Sequence, residues 1–354
     1  MNITTLSRRS LRRSAAISAL AAGLSAAALP ALSEVVTLRS PDGSTNLTGE
    51  FVDFRDNNYI IKTSMGELRL SAEIMLCDGA ACPKQQGQEA ELVFGGSDTV
   101  GLGVMPLLLE GYAAFHDAEA AIAPGSENEV LASYTGDGGF GDSLGSISVV
   151  STTSGDAFKK LMDKSAQIGM ASRRIKPEEA RSLRDAGAGN MVHPSQEHIV
   201  AVDSLVVITH PNNPVQQITV AQLADIYAGR VTNWSQPGGP DLPITVVDRP
   251  ESSGTRSVFQ DVVFGDKVAP LPNAVVAPDN NEAAATVNQE PGAIGFVGYA
   301  FQRGAKPLDL VNACGITTSP DAFSARTEEY ALQRRLYLYN RADTLEEEGR
   351  RFLS

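Results

Sequence analysis

Short apolar runs alternate with helical stretches between Ala90 and Tyr299, and this alternation constrains the fold of the 354-residue chain more than any other feature. Strands are predicted at 91–94, 147–150, 168–171, 205–209, 244–247 and 294–297, and helices at 105–114, 155–164, 220–228 and from residue 177. Strands that alternate with helices form a largely parallel sheet with helices packed on it. We therefore predict an α/β fold, in which ligands bind where strands end and helices begin.

A different pattern occupies residues 34–88. Four runs of strand-forming residues are separated by turn signals such as Pro-Asp-Gly and Asp-Asn-Asn, and they lie at 35–38, 51–54, 59–63 and 67–70. This spacing predicts a small all-β domain over 34–88, whose last residues, 83–88, resemble a linker. The α/β domain then covers 89–354.

The N-terminal residues have the pattern of an export signal. Four arginines between positions 8 and 13 precede an uncharged, Ala- and Leu-rich run over 14–33, which ends in a small-x-small cleavage site. The run is also long enough for a membrane helix, but its composition and cleavage site favour a signal peptide over 1–33 that is removed. We expect a periplasmic protein, exported by the Sec or the twin-arginine route.

The charge balance limits the partners of this chain. It has 29 Lys and Arg against 42 Asp and Glu, a net charge of −13. Such a surface does not favour nucleic acid, and it repels anions at long range. Any anion site must therefore be local and pre-organised. We expect no nucleic-acid partner and a monomeric protein.

Cys77 and Cys82 close a short loop, Cys-Asp-Gly-Ala-Ala-Cys, which in an exported protein favours a local disulfide. The alternative, a metal knuckle, needs two further ligands, and the four histidines are scattered. We therefore expect no metal. Cys314 is left over and is expected to be either buried or reactive.

One segment has the composition of an anion site. A short strand over 244–247 is followed by Arg249, then by Ser253, Gly254 and Thr255 at the start of a predicted helix. The first N–H groups of a helix have no internal partner and carry the positive end of its dipole. The two hydroxyl groups add donors, and arginine supplies a forked cation suited to tetrahedral oxyanions. The alternative is an N-capped helix after a surface turn.

Three more strand-to-helix turns carry small hydroxyl residues, and four such turns in one α/β domain suggest that they converge on one ligand. The other three turns are Gly96-Ser97-Asp98-Thr99, Thr152-Thr153-Ser154-Gly155 and Ala171-Ser172-Arg173-Arg174.

These segments, in this order, resemble the periplasmic phosphate-binding proteins of ABC transporters, within the type II periplasmic binding protein superfamily. The resemblance covers about three quarters of the mature chain, and its segments are 95–100, 167–173, 223–229 with Asn233-Trp234, 249–255 and 291–299. It implies two α/β lobes joined by a hinge, with lobe I at about 90–207 plus 330–354 and lobe II at about 208–328.

The resemblance also implies a ligand and a set of binding residues. The ligand is inorganic phosphate or a similar oxyanion, and a membrane permease is the implied partner. No cofactor and no enzymatic activity are implied. The implied binding residues are Thr99, Val100, Ser154, Gly155, Ser172, Arg173, Arg249, Ser253, Gly254 and Thr255.

One position departs from the family pattern. Some members carry an Asp after the serine of the third turn, where it accepts a proton from hydrogen phosphate and repels sulfate. This chain has Arg173 there, and arginine is only a donor. Asp98 or Asp156 is then the expected acceptor. An ion pair or a solvated helix start is the alternative role for Arg173.

Two other functions compete with this interpretation. Gly141-Asp142-Ser143-Leu144-Gly145 matches the Gly-x-Ser-x-Gly pattern of serine hydrolases, but the elbow needs a strand before the serine and a helix after it. The residues after Ser143 look like a strand, so the order is reversed. The second competitor keeps the fold and makes the protein an envelope sensor or scaffold, because a simple transport receptor does not need an added β domain.

Overall fold

The structure is a computed structural model that describes residues 35–39, 45–55, 58–64, 66–71, 75–79, 81–82, 90–126, 128–265 and 273–354. The predicted signal peptide over 1–33 and the predicted linker over 83–88 lie outside the described residues. The chain forms two compact units, one up to residue 86 and one from residue 87. Across the described part of the chain, no helix combines the length and the apolar character needed to span a bilayer.

The first unit is an antiparallel sheet with strand order β4-β3-β2-β1-β5. Its strands are β1 (Val35–Arg39), β2 (Asn46–Arg55), β3 (Asn58–Thr63), β4 (Gly66–Ser71) and β5 (Leu76–Asp78). Apolar side chains from β1 and β3 form its core, together with Met75. The predicted disulfide is confirmed, since Cys77 and Cys82 are bonded. Cys314, in the second unit, is a free and exposed thiol.

The second unit alternates strands and helices, as predicted. Its helices are α1 (Asp98–Gly103), α2 (Met105–Phe115), the single turn α3 (Gly136–Gly139), α4 (Ser154–Asp163), α5 (Pro177–Asp185), α6 (Val220–Tyr227), α7 (Gly254–Val263), α8 (Asn280–Gln289), α9 (Ala322–Arg326) and α10 (Glu347–Leu353). Its strands are β6 (Leu92–Ser97), β7 (Glu119–Pro124), β8 (Glu129–Thr135), β9 (Ser143–Thr152), β10 (Ile168–Ala171), β11 (Glu197–Thr209), β12 (Gln217–Thr219), β13 (Thr245–Asp248), β14 (Val275–Val276), β15 (Ala293–Gly298), β16 (Lys306–Pro307), β17 (Asp309–Val311), β18 (Thr317–Thr318) and β19 (Gln333–Asn340).

One long sheet runs through this unit in the order β14-β13-β15-β11-β19-β10-β6-β9-β8-β7. In lobe I, β6 is parallel to both β9 and β10. In lobe II, β13 is parallel to β15. Each lobe has its own core, with Phe94 and Met170 at the centre of lobe I and Trp234 and Phe259 in lobe II.

Two long strands join the lobes. β11 pairs with β19 from Glu197 to Ser204 and then with β15 from Leu205 to Thr209. The predicted strand over 205–209 is therefore the lobe II half of a longer element. The two-lobed α/β fold is confirmed, while the residue limits of the lobes stay predictions.

The strand predicted at 91–94 continues into the predicted turn Gly96-Ser97-Asp98-Thr99. β6 continues to Ser97, and α1 begins directly at Asp98. Gly96 permits this because its φ is +136° and a Cβ there would lie 2.3 Å from the carbonyl oxygen of Met170.

The hairpin of β7 and β8 was not predicted, because its Ala-rich first strand ends in Pro124 and has little strand character.

Candidate oxyanion-binding site

The turns that the sequence singled out lie at the carboxyl ends of neighbouring strands. β6, β9 and β10 of lobe I end at Ser97, Thr152 and Ala171. Because these strands are parallel, the residues that follow them meet at one edge of the sheet. β13 of lobe II ends at Asp248, and its turn faces the same cleft, as the contacts below show.

Local capping fixes two of these turns. The hydroxyl of Thr153 accepts a hydrogen bond from the Asp156 backbone and so caps α4. The hydroxyl of Ser253 accepts one from the Arg256 backbone and caps α7. Capping satisfies one of the unpaired N–H groups at each helix start. The alternative interpretation of this segment, an N-capped helix, is therefore correct for the Ser253 hydroxyl, which is the cap of α7.

Hydroxyl groups from both lobes meet inside the cleft. Thr99 Oγ1 of lobe I lies 3.4 Å from Thr255 Oγ1 of lobe II. Ser154 Oγ lies 3.2 Å from Ser172 Oγ and accepts a 2.9 Å hydrogen bond from the Ser172 backbone. All four residues are buried.

Main-chain groups bring the lobes into direct contact. The Gly155 N–H donates across the cleft to the Ser252 carbonyl at 2.9 Å. Gly254 packs so closely on lobe I that a Cβ there would lie 2.1 Å from Ser154 Oγ. Val100 is buried with its side chain in the lobe I core, so a ligand contact from this residue can involve only its backbone.

Arg249 is the buried cation of the cleft, with 1% of its surface exposed. Its Nη2 donates to Asp98 Oδ2 at 3.1 Å and to the Pro278 carbonyl at 3.3 Å. Its Nε and Nη1 have no hydrogen-bond partner among the described residues. Burial lowers the pKa of Arg249, and the neighbouring Asp98 carboxylate opposes this shift. Unpaired buried donors on a charged group are costly, so this arrangement favours an anionic ligand.

Asp98 is the acidic group of the cleft. Its Oδ2 accepts hydrogen bonds from the Asn280 backbone at 2.9 Å, from Asn280 Nδ2 at 2.7 Å, and from Arg249. Asp156, the other acid considered from the sequence, accepts from Thr153 and pairs with Lys159 at the start of α4. Asp98 is thus the acid that contacts the buried cation.

Arg173 has other partners. Its guanidinium makes two hydrogen bonds to the Glu179 carboxylate, at 2.6 and 2.8 Å, and a third to the Arg174 carbonyl. It also lies over the Phe158 ring, 5.2 Å from the centroid. The ion-pair alternative describes this side chain, three of whose five N–H donors are used within lobe I. A ligand role for Arg173 stays a prediction that these contacts do not support.

Three residues of the cleft escaped the sequence reasoning: Asn280, Arg334 and Asp203. Asn280 is the first residue of α8, which Asp279 caps. The Pro278-Asp279-Asn280 pattern before a helix could have identified it as a further strand-to-helix turn. Arg334 lies near the start of β19 and Asp203 in the middle of β11, and neither belongs to a strand-to-helix turn that could have marked it.

The hydrolase pattern lies elsewhere in lobe I. Ser143 is the exposed first residue of β9, and the left-handed turn of α3 precedes it. The strand therefore follows the serine, which is the reverse of a nucleophile elbow. Ser143 and His116 line one cavity of about 270 Å³, but no hydrogen bond joins them in the described structure.

A family comparison agrees with the fold. Residues 128–345 match the family model described as the PBP superfamily domain. This match covers more than half of the chain, which therefore belongs to the PBP superfamily.

Two curated relatives are bacterial proteins. The chain is 30% identical over 204 residues to Protein SphX of Synechococcus elongatus, covering 54% of this chain and 59% of that protein. It is 28% identical over 198 residues to the phosphate-binding protein PstS of Bacillus subtilis, covering 56% of this chain and 61% of that protein. The chain thus spans less than two thirds of the length of these relatives.

A solved structure extends the comparison to about three quarters of the chain. It is a substrate-binding protein from Clostridium perfringens that is assigned to phosphate ABC transport and contains bound phosphate. The two chains superpose with a TM-score of 0.56 at 25% identity, over 74% of this chain and 90% of that chain.

Proposed function

We propose that this protein captures a tetrahedral oxyanion, phosphate in the first place, between its two lobes and delivers it to the permease of an ABC transporter. The names of its relatives support this ligand and this transport role. The signal-like N-terminal sequence supports a periplasmic location. The proposed binding residues are those implied by the family resemblance, without Arg173, and with Asp98 added.

The observation that carries the proposal is the state of Arg249. Two of its donors are buried without a partner in the described residues. Its Nη2 shares Asp98 with Asn280, which also donates to Thr99 in the cleft. A tetrahedral oxyanion offers acceptors to both kinds of group at once. Donors to the charged form stabilise a desolvated anion even where the counter-charge is incomplete.

The contacts of Asp98 support a preference for protonated oxyanions. Its carboxylate is within hydrogen-bond distance of Arg249, so a ligand bound to Arg249 also lies near a negative charge. Hydrogen phosphate can donate its P–OH to a carboxylate, whereas sulfate has no proton to donate at neutral pH. Like charges placed together cost several kcal/mol, so we expect sulfate to bind at least about a hundredfold more weakly.

The proposal includes no covalent chemistry. The cleft holds hydroxyl donors and two arginines that are each paired with a carboxylate, Arg249 with Asp98 and Arg334 with Asp203. Ser143, the serine of the hydrolase pattern, is exposed and lies in a different cavity. Binding and release are therefore the proposed activity.

The test is calorimetric titration of anion-stripped protein with phosphate, using Arg249→Met and a matched control. The control is Arg230→Met, because Arg230 is 55% exposed on lobe II and pairs only at the surface, with Asp225. Removing the buried cation should lower phosphate affinity at least about a hundredfold, and the control should bind like the wild type. Equal affinity in the Arg249 variant would refute the site.

A second candidate, an envelope sensor or scaffold, is favoured by one observation. The first unit is a separate five-stranded sheet with its own core and disulfide, which anion capture does not require. Deletion of residues 34–88 distinguishes the candidates. A transport receptor should retain phosphate affinity and phosphate uptake without this unit, whereas a sensor or scaffold should retain affinity and lose its cellular role.

A further inference from the structure

Arg334 is a second buried arginine of the cleft, and it comes from a strand that joins the lobes. Its side chain is 2% exposed. It is held by Asp203 of the paired strand β11, with Nε and Nη2 lying 2.8 and 2.7 Å from Asp203 Oδ2. The guanidinium is thus fixed from behind and presents its remaining N–H groups to the cleft.

Those N–H groups contact the two threonine hydroxyls that face each other. Arg334 Nη1 donates to Thr255 Oγ1 of lobe II at 2.8 Å. Arg334 Nη2 donates to Thr99 Oγ1 of lobe I at 3.4 Å. Asn280 Nδ2 also donates to Thr99 Oγ1, at 3.0 Å.

The hydrogen-bond capacity of a hydroxyl fixes what each threonine can still do. A hydroxyl has two acceptor sites and one donor hydrogen. Arg334 and Asn280 fill both acceptor sites of Thr99, so Thr99 can use only its hydrogen. If that hydrogen points to an anion, Arg334 fills one acceptor site of Thr255 and the other stays open. The charged donor at 2.8 Å then turns the Thr255 hydrogen away from the arginine and towards an acceptor.

We infer that Arg334 is a positioning residue that, with Asn280, makes the Thr99 hydroxyl an obligatory donor to an anion and orients the Thr255 hydroxyl to donate as well. A freely rotating hydroxyl can accept as readily as it donates, and so gives little preference for anions. A hydroxyl that accepts from a cation directs its hydrogen elsewhere, and it is polarised as well. The inference rests on the proposed function, since it names the residue that prepares the same site for its ligand.

Gly298 supports this role through the space that it leaves. A Cβ at this position would lie 3.0 Å from Arg334 Nη2 and 3.3 Å from both Asp203 Oδ2 and Thr99 Cγ2. The Gly298 backbone also donates to Asn280 Oδ1, which turns the Asn280 amide group towards Thr99. The residue next to the ion pair is therefore one that lets the arginine and the threonine approach each other.

The experiment is a double-mutant cycle on phosphate affinity, measured by calorimetry on the full protein. The variants are Arg334→Met, Thr255→Val and their combination, and the matched control is Arg335→Met. Arg335 is the next residue of β19, is 50% exposed and pairs with the exposed Glu328. Thermal melting of each variant without phosphate records its stability separately. Arg334→Met/Asp203→Asn removes both charges together and replaces the single variant if that one unfolds.

We expect Arg334→Met to weaken phosphate binding at least about tenfold, and Arg335→Met to leave it unchanged. In the Thr255→Val background the effect of Arg334→Met should shrink, because the arginine then has one hydroxyl fewer to act through. Wild-type affinity in Arg334→Met, or full multiplication of the two single effects, would overturn the inference. Absence of phosphate binding by the wild type would instead refute the proposed function.

Discussion

Replacement of Gly254 by alanine tests whether the lobes close on the ligand as this structure indicates. A Cβ on Gly254 would lie 2.1 Å from Ser154 Oγ and 2.6 Å from Ser172 Oγ. An ordinary carbon–oxygen contact is about 3.3 Å, so the lobes have to separate by roughly 1 Å here. Rotating the Ser154 hydroxyl away does not suffice, because the Ser154 Cβ would still lie 2.9 Å from the new methyl group.

The expected effect on affinity follows from the two serine donors. In the proposed complex, Ser154 and Ser172 donate to the anion together with the start of α7, whose first residue is Gly254. A hydrogen bond to a charged group contributes about 1.5–3 kcal/mol. Weakening two such bonds by a 1 Å displacement should cost about 2–4 kcal/mol, which is roughly a 30- to 1,000-fold loss of phosphate affinity.

The assay is calorimetric titration with phosphate, paired with thermal unfolding in the absence of ligand. Gly254→Ala should unfold like the wild type, because its backbone does not need the left-handed region and the lobes can separate. The matched control is Gly111→Ala in α2, where a Cβ meets nothing within 4 Å. Wild-type affinity in Gly254→Ala would refute the closed geometry of the cleft.

Two further predictions concern residues outside the cleft. Arg173→Met should lower the free energy of unfolding by about 2 kcal/mol, because it leaves the partly buried Glu179 without its cationic partner. The same variant should change phosphate affinity less than about twofold. A large loss of affinity would restore a ligand role for Arg173. Hydrogen bonds lower the pKa of Glu129 below its usual 4.5, and the bonds from Ser126 contribute more than the bond from Ser148. These bonds therefore stabilise the folded protein above pH 4.5, and this stabilisation is lost as the pH falls through the lowered pKa. Denaturant unfolding between pH 6 and 3 should therefore show a shallower loss of stability in Glu129→Gln than in the wild type, and identical slopes would contradict this assignment.

The parts of the site that the sequence predicted are those set by local structure. Ser154, Ser172 and Thr255 each lie between a strand end and the first turn of the following helix, and their positions follow from strand-to-helix patterns that span only a few residues. The family resemblance then supplied their common ligand. The structure brings these residues together, as the convergence of the turns required.

The remaining parts depend on contacts between segments that are distant in the sequence. Arg334 and Asp203 are 131 positions apart and meet only because β11 and β19 pair. The link between Asp98 and Asn280 spans 182 positions and exists only when the lobes touch. No local pattern marks such partners. The sequence therefore suggested Asp98 and Asp156 as possible acceptors but could not decide between them.

The same limit explains the prediction for Arg173. Its position next to Ser172 suggested a ligand contact, because neighbouring residues on a turn tend to face one site. Glu179 lies six positions further on, and the start of α5 brings its carboxylate onto the guanidinium. Whether a charged side chain faces the ligand or a neighbouring helix depends on where that helix packs, which the local pattern does not specify.

The central claim is that the closed cleft around Arg249 and Asp98 selects a protonated tetrahedral oxyanion. The most direct measurement is calorimetric titration of the anion-stripped wild-type protein with phosphate and then with sulfate at the same neutral pH. We expect saturable binding of one phosphate per chain, and sulfate binding that is at least about a hundredfold weaker. Equal binding of the two anions would contradict the role of Asp98, and no heat with either would contradict the site itself.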